Sequence, residues 1–397
     1  MGQSIITAFE NLAVGALPTR FMRWPMVGTI AACLANRTWV RVQRGGFETR
    51  LRPNLYTLLV APTGSSKSLG IKFARDLLAE TTGVGTKIHL YTGTSSAKGM
   101  LDQMIPTESS PNRDKLYLVQ DELASDVGRP EMAEQYFKAL TKMYYLEPYE
   151  ETTRLNGYTN LSVNKYCEFG YCLNVMWATT PRWLCECMPA TMADTGLLPR
   201  ICTIIDMKWR WPEFDPPAPG GAAATRARIV KRLDELMELE GEFVRTPEAY
   251  EFLREWYYSR PEPTSNTQKA YFARERDWVE KLAMVVAAAE GEADEQRITV
   301  GHYESAIKLA IDASESPARF LKGGDFLDEL RAKLRVSPNG ANRSEVVRWA
   351  ERRHRLARDV DNAIEHLIAA GQLRQEVIAT KGRPKVRYFW DKGDEDE

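Results

Sequence analysis

The sequence has few of the features that mark membrane-spanning or secreted proteins. No apolar run reaches the roughly 20 residues that a membrane-spanning helix needs. The best candidates, residues 26–35 and 282–289, are about half that length and suit buried helices. The chain starts at Met1 without a basic segment and a small-residue cleavage site, so no signal peptide is predicted. These absences favour a cytoplasmic protein without a membrane partner.

Cysteine and histidine are also scarce, with 6 and 4 residues. Four cysteines lie close together, but their C-x4-C and C-x-C spacings are not the usual zinc-binding pairs, and no histidine lies among them. A zinc site is the less favoured alternative. We expect reduced thiols that pack as small hydrophobic side chains. The cysteines are Cys33, Cys167, Cys172, Cys185, Cys187 and Cys202.

Charge is balanced over the whole chain but not along it. The 397 residues carry a net charge of −1 and include 44% hydrophobic and 27% charged residues, as in a globular protein of up to about three domains. Residues 322–390 hold 15 Lys and Arg against 9 Asp and Glu, a balance of about +6, and an acidic tail follows at 391–397. A basic C-terminal module of this kind suits contact with nucleic acid.

A phosphate-binding loop is predicted near residue 61. A β-prone run at 54–60 enters a loop of small residues, and a helical pattern follows over about 69–80, which is the order that such a loop requires. Its Lys67 would reach the β- and γ-phosphates, and the Ser68 hydroxyl would bind Mg²⁺. The alternative is an ordinary turn, because glycine is usual where this chain has Ala61 and Ser66. The predicted loop comprises Ala61, Pro62, Thr63, Gly64, Ser65, Ser66, Lys67 and Ser68.

A second element carries carboxylates. The hydrophobic strand predicted at 115–120 ends in Asp121 and Glu122. After a buried strand, an aspartate can hold Mg²⁺ through water and a neighbouring glutamate can polarise the attacking water. A solvated loop is the alternative. With the predicted loop upstream, we interpret Asp121 as the metal partner, Glu122 as the base, and ATP with Mg²⁺ as the cofactors.

Two further segments are weaker indicators. A strand predicted at 171–178 is followed by Thr179 and Thr180, whose hydroxyls could sense the γ-phosphate or orient water, although such a sequence also forms simple turns. Arg200 precedes a strand predicted at 201–205. It is a candidate arginine finger for a neighbouring subunit, or else a surface arginine at the start of a strand.

The order of apolar runs predicts an α/β fold with a mostly parallel five-stranded sheet. A Pro/Gly-rich connection at 211–221 marks a boundary. Helices are then predicted near 222–240, 247–259, 268–290 and 300–315. The predicted organisation is an N-terminal helical cap at 1–50, a nucleotide-binding core at 51–211, an α-helical lid at 222–316, a winged-helix domain at 322–390 and the tail at 391–397.

The winged-helix prediction comes from two helices followed by a hairpin. A helix begins at Arg343, with Ser344 as candidate N-cap, and a second covers 356–370. Strands at 373–378 and 386–390 flank a basic loop. Such a module binds DNA phosphates or docks proteins, and the local charge favours DNA. The candidate DNA contacts are Arg352, Arg353, Arg355, Arg358, Lys381, Arg383 and Lys385.

Taken together, the ordered motifs resemble a known family. Residues 54–56 before the loop, 120–123, 178–181 and 196–200 are similar to the P-loop ATPases of phages, prophages and plasmids often labelled DNA primase/helicase, over residues 1–315. The core is similar to AAA+ ATPases. Segments 197–201 and 272–276 look like the arginine-finger and sensor-2 regions of minichromosome maintenance helicases.

The resemblance implies a ring, expected to be a hexamer, with ATP between subunits. It implies that Arg200 acts in trans and that either Arg274 or Arg276 is sensor 2. A hairpin predicted around Asn156-Gly157 would project into the pore, where Arg154, Asn164 and Lys165 would grip DNA; the alternative is a surface hairpin.

The resemblance therefore implies an ATP-dependent DNA translocase or helicase for phage or mobile-element DNA replication in a bacterial host cell. The alternative is an ATP-switched DNA-binding loader or initiator that recruits another helicase, which Ser66 mildly favours. A packaging motor is a third possibility, but nothing resembles a nuclease. A primase would be a separate partner chain, because no primase-type metal cluster or carboxylate triad is evident.

Overall fold

The chain divides into two compact units, Met1–Ala318 and Arg319–Glu397. The predicted cap, core and lid fall in the first unit, and the predicted winged helix falls in the second. The boundaries between cap, core and lid stay predictions. The computed structural model describes residues 3–13, 17–35, 37–93, 100, 103–104, 108, 112–123, 130–144, 151–152, 162–163, 172–181, 183–184, 196–206, 213, 217–263, 266–291, 296–320, 330–331, 333–337, 339–352, 357–369, 372–378 and 385–390.

The centre of the first unit is a five-stranded sheet in which every neighbouring pair is parallel, as expected. Its strands are short and mostly buried, which explains why the sequence shows them as continuous apolar runs. Their order across the sheet is β4, β5, β8, β3, β9. The bounds are β3 Tyr56–Val60, β4 His89–Tyr91, β5 Lys115–Gln120, β8 Cys172–Thr179 and β9 Ile201–Ile205.

Helices cover both faces of this sheet. On one face, α2 (Thr19–Leu34) packs against β3, β5 and β8 and against α3 (Lys67–Ala79). Two glycines allow this close packing: a Cβ at Gly28 would lie 2.7 Å from Met176 Cε, and one at Gly70 would overlap the Phe21 carbonyl. On the other face, α4 (Pro130–Met143) lies against Tyr56, whose hydroxyl donates to the Leu140 carbonyl at 3.1 Å. The result is a mixed α/β unit with helical layers on both sides.

The N-terminal segment is only partly helical. Helix α1 (Ile5–Asn11) and α2 fit the prediction of a helical cap at 1–50, but β1 (Thr38–Arg44) and β2 (Phe47–Leu51) form an antiparallel hairpin in its last part. Gly45, with φ +63°, makes the turn possible. The sequence analysis predicted only helices here and missed this hairpin, because β1 owes its pairing partly to β10 (Gly241–Glu242), about 200 residues away.

In the described part of the segment predicted as a lid there are four helices, and hydrophobic side chains from them belong to the same cluster as core side chains of the sheet. Two short parallel strands, β11 (Val244–Arg245) and β12 (Arg297–Ile298), connect them. The four helices are α5 Ala222–Glu238, α6 Pro247–Ser259, α7 Asn266–Glu290 and α8 Val300–Phe320.

Among the described residues, no helix is long and apolar enough to cross a membrane.

The buried side chain of Lys281 connects α7 by hydrogen bonds to Asn54, just before β3, the strand that leads into the predicted loop. Lys281 is 1% exposed, and its Nζ donates to the carbonyl and the side-chain oxygen of Asn54 at 2.9 and 2.8 Å. The ammonium also lies 4.0 Å from the ring centroid of Tyr144. Burial lowers the pKa of Lys281 to about 8, while the Asp277 carboxylate opposes the shift.

The second unit has a separate core around Val346, Ala350, Val360 and Leu367. Its α9 (Arg343–Glu351) starts from a capping box in which Asn342 and Glu345 exchange hydrogen bonds, so Asn342, and not Ser344, is the N-cap. The other elements are α10 Ala357–Ala369 and an antiparallel sheet of β13 Ala341–Asn342, β15 Lys385–Trp390 and β14 Leu373–Ile378 in that order.

Candidate functional site

A cleft of about 530 Å³ opens at the carboxyl ends of the parallel strands. It lies where the chain leaves two neighbouring strands in opposite directions: after β3 it continues to β4 at one edge of the sheet, and after β8 it continues to β9 at the other edge. Ligands of open α/β sheets bind at such a point. The cleft is lined by Thr63, Gly64, Ser66, Lys67, Ser68, Leu69, Lys72, Arg75, Asp121, Glu122, Thr179 and Thr180.

The predicted phosphate-binding loop forms one wall of this cleft. Gly64 and Ser66 both adopt left-handed backbone conformations, with φ of +81° and +61°. A Cβ at Gly64 would meet no heavy atom within 4 Å, so the loop faces open space there. Ser66 therefore has the backbone conformation for which glycine is the usual residue. The remaining loop residues, Ala61, Pro62 and Ser65, do not line the cleft but support it: the Ala61 N–H donates to the Thr179 carbonyl at 3.3 Å, and the Ser65 hydroxyl donates to the Pro62 carbonyl at 2.7 Å.

Lys67 is the first residue of α3 and lines the cleft. It is 8% exposed, and its Nζ donates to the Pro62 carbonyl at 3.4 Å. Burial lowers the pKa of Lys67, whereas the Glu122 carboxylate opposes that shift. This 3.4 Å hydrogen bond is weak, so an ammonium at the N-terminus of a helix can also bind a phosphate oxygen.

Candidate oxygen ligands for a cation also line the cleft. The exposed Asp121 and Glu122 follow β5, and the Ser68 hydroxyl donates to the Asp121 carbonyl at 3.5 Å. A hydroxyl and a carboxylate fit Mg²⁺, which takes one or two carboxylates and keeps water and phosphate oxygens as its other ligands. No cluster of three or more His, Cys, Asp or Glu side chains suited to a metal occurs in the described part of the chain.

The two threonines after β8 differ in what their hydroxyls do. Thr180 Oγ1 accepts a hydrogen bond from the Trp183 N–H at 3.3 Å and so caps a turn. Thr179 is 2% exposed, and its Oγ1 has no hydrogen-bond partner among the described residues although Thr179 lines the cleft. A buried hydroxyl without a partner is costly unless a ligand or water satisfies it. The sequence analysis named Thr179 together with Thr180, and the structure makes Thr179 a second candidate for contact with ligand or water.

The predicted arginine finger is enclosed by its own chain. Arg200 is 7% exposed and does not line the cleft. Its guanidinium donates to the Gly196 carbonyl and lies 5.8 Å from the ring centroid of Tyr144. An action of Arg200 in trans stays a prediction, and in this conformation its guanidinium is turned into its own chain.

The two sensor-2 candidates lie on α7 and not in the cleft. Arg274 is half-buried near Tyr144 and Lys281, where its charge affects the pKa of both groups. Arg276 is also half-buried, and its guanidinium lies 5.9 Å from the ring centroid of Tyr257. The choice between them stays open.

The structure describes little of the predicted DNA contacts. Strands β6 (Glu151–Thr152) and β7 (Ser162–Val163) pair antiparallel on either side of the predicted Asn156-Gly157 turn. Arg352 is exposed at the end of α9, Arg358 lies on α10, and Lys385 begins β15 opposite Ile378. Arg154, Asn164, Lys165, Arg353, Arg355, Lys381 and Arg383 lie outside the described residues, as does the tail at 391–397.

The three described cysteines are buried in the hydrophobic core of the first unit. Cys33, Cys172 and Cys202 are buried free thiols, and burial raises the pKa of each to about 12. They pack as small hydrophobic side chains, as expected for these three. Cys167, Cys185 and Cys187 lie outside the described residues.

Sequence reasoning missed three residues of the cleft wall. Leu69, Lys72 and Arg75 follow Ser68 on α3 and line the cleft with it. For Lys72 and Arg75 the available signal was their spacing from Ser68, because residues at i, i+4 and i+7 share one face of a helix. Comparison of the sequence with protein-family models and with curated proteins gives no match.

Proposed function

We propose that this protein is an AAA+-like P-loop ATPase that uses ATP and Mg²⁺ to move along DNA, as a translocase or helicase in phage or mobile-element DNA replication. A homo-oligomeric ring, expected to be hexameric, is part of the proposal. So are a helical lid, a C-terminal winged helix that contacts DNA, and association with a separate primase or other replication proteins.

One observation carries the ATPase part of this proposal. Residues that are up to 116 positions apart in the sequence, from Gly64 and Lys67 to Asp121 and Thr180, line the same cleft. Lys67 and the loop N–H groups would hold the β- and γ-phosphates, and Ser68 with Asp121 would hold Mg²⁺. Glu122 would accept a proton from the attacking water, and Thr180 or Thr179 would orient that water.

A loader or initiator without motor activity is the second candidate. Two observations favour it: Ser66 adds a side chain at a left-handed loop position, and Arg200 is buried within its own chain. Loss of an arginine finger would slow hydrolysis by about 10³-fold or more without preventing ATP binding. A serine side chain at position 66 would slow hydrolysis in a different way, because glycine there lets the backbone wrap closely round a phosphate.

The proposal is tested by steady-state ATP hydrolysis of the full chain with no DNA, single-stranded DNA or double-stranded DNA. Lys67→Ala is the blank and Lys87→Ala is the control, since Lys87 pairs with Glu238 outside the cleft. A motor would show stimulation by one form of DNA that Lys67→Ala abolishes and Lys87→Ala retains.

Each other result has a definite meaning. ATP binding with little turnover on any DNA, together with ATP-dependent assembly and no strand displacement, would replace the motor by the loader or initiator. If Mg-ATP does not bind to the wild-type chain, the whole ATPase proposal fails.

A further inference from the structure

Two cationic side chains in the cleft have no role in the function proposed above. Lys72 and Arg75 lie on α3, with side chains 55% and 34% exposed, and line the same cleft as Lys67. We propose that Lys72 and Arg75 form a cationic subsite for the terminal phosphate of the bound nucleoside triphosphate and act within the same chain. This inference rests on the proposed function, since it requires a nucleotide in the cleft.

The direction of these side chains follows from the helix. Lys72 and Arg75 are four and seven residues after Ser68, so all three point within about 60° of one another around the axis, and the three positions span about 10 Å along it. Side chains on a helix lean toward its N-terminus, which here is the predicted loop. The Ser68 hydroxyl reaches the Asp121 carbonyl at 3.5 Å. This stripe of α3 therefore faces the end of β5, where the metal and the terminal phosphate would lie.

Asp76 forms ion pairs with both cations. Its carboxylate lies 2.5 Å from Lys72 Nζ and 3.7 Å from Arg75 Nη2, and it is itself 39% exposed. Partly exposed ion pairs of this kind contribute little stability, so a phosphate with a higher charge can take over the two cations. Among the described residues, the cleft lining contains the three cationic side chains of Lys67, Lys72 and Arg75 and the two carboxylates of Asp121 and Glu122. This net positive charge matches the net negative charge of a magnesium–triphosphate complex.

The burial of Arg200 makes such a subsite useful. A loose phosphoryl-transfer transition state needs cations around its terminal phosphate. Arg200 does not line the cleft, whereas Lys72 and Arg75 do. Arginine also binds two phosphate oxygens through its planar guanidinium. Lys72 and Arg75 would thus stabilise the terminal phosphate of the nucleotide that is bound by their own chain.

Calorimetric titration of the full-length protein with Mg-ATPγS and with Mg-ADP tests the subsite. We expect Lys72→Ala and Arg75→Ala each to weaken ATPγS binding by about tenfold, as for one charge-assisted hydrogen bond, and to change ADP binding by less than about twofold. Both sites are partly exposed, so folding should survive, and unchanged thermal unfolding verifies this. Lys87→Ala is the control outside the cleft, and Lys67→Ala should weaken both ligands.

The outcomes separate this inference from the proposed function. If the wild-type chain binds neither nucleotide, the proposed function fails. If it binds both and Lys67→Ala weakens both, but Lys72→Ala and Arg75→Ala lose nothing or lose both ligands equally, the subsite is overturned while nucleotide binding stands.

A mixing experiment tests whether the subsite acts in its own chain. Hydrolysis is measured after Arg75→Ala chains are mixed with Lys67→Ala chains. A cis-acting Arg75 predicts no activity above the sum of the separate variants. Recovery of activity would mean that Arg75 serves a neighbouring chain, which would overturn the assignment to the same chain.

Discussion

At the scale of single residues, Ser66 shows how a departure from a motif can keep its geometry. Its φ of +61° lies in the left-handed region, which costs a residue with a Cβ about 1–2 kcal/mol. Glycine avoids that cost but loses about 0.5–1 kcal/mol through the greater freedom of the unfolded chain. We expect Ser66→Gly to raise the free energy of unfolding by up to about 1 kcal/mol, as measured by urea denaturation.

The control for this prediction is Ser66→Ala, which keeps the Cβ in the same backbone conformation. It should bring no gain in stability, because the steric cost remains. If both variants were equally stable, the left-handed conformation of residue 66 would not be the source of the effect.

Lys281 predicts a pH dependence of stability. The pKa of its ammonium is about 8 in the folded protein against 10.5 as the ordinary value. Below pH 8 both states are protonated and the cost of burying the charge is fully present. Between pH 8 and 10.5 the folded state loses the proton first, so this residue's contribution makes the protein more stable as the pH rises, by about 3 kcal/mol at most.

We therefore expect the stability difference between wild type and Lys281→Met to change in favour of the wild type from pH 7.5 to about 10. Urea denaturation at a series of pH values measures it. The comparison is needed because the buried thiols of Cys33, Cys172 and Cys202, whose pKa values are raised to about 12, act in the opposite sense above pH 9. A constant difference would show that the Lys281 ammonium does not titrate in this range.

Residue-level reasoning found most of the cleft but not all of it. Lys67, Ser68, Asp121, Glu122 and Thr180 could be predicted because each follows a strand or a turn of recognisable chemistry. Lys72 and Arg75 look like ordinary solvated charges on a helix, and only the rotation of α3 about its axis places them in the cleft. The burial of Arg200 could not be predicted from the sequence either, because it depends on contacts of its guanidinium with Tyr144 and Gly196.

At the scale of elements, the start of α9 offers a prediction of its own. Asn342 accepts from the Glu345 N–H at 2.9 Å, whereas Ser344 lies inside the helix. We expect Asn342→Ala to destabilise α9 by about 1 kcal/mol and Ser344→Ala to have little effect. Amide hydrogen exchange of residues 343–351 measures this locally. Equal loss of protection in both variants would contradict the role of Asn342.

Helices and buried strands were predictable to within a few residues because their periodicity is local. The β1–β2 hairpin was not, since β1 also pairs with β10 and β2 is mostly exposed. A half-exposed strand that depends on a distant partner has a weaker apolar pattern than a central parallel strand. The Gly45-Gly46 pair was its one local signal.

At the scale of the whole molecule, the strand order had to come from the structure. The succession of β3, β4, β5, β8 and β9 is visible in the sequence, but the position of β8 between β5 and β3, where it packs against α2 and α4, is not. That position brings Thr179 beside the predicted loop and the end of β5 beside Ser68. The site therefore depends on topology that no single motif specifies.

The two units have separate hydrophobic clusters, one reaching Ala313 and the other starting at Leu330 in the described residues. Each cluster can therefore melt as its own cooperative unit, and we expect two transitions in scanning calorimetry of the full chain. Leu367→Ala, at a site 0% exposed in the second unit, should lower only the transition of that unit, by about 2–5 kcal/mol in stability. The matched change Leu282→Ala, also at a site 0% exposed, should lower only the transition of the first unit. A single transition that both substitutions shift equally would show instead that the two clusters unfold together.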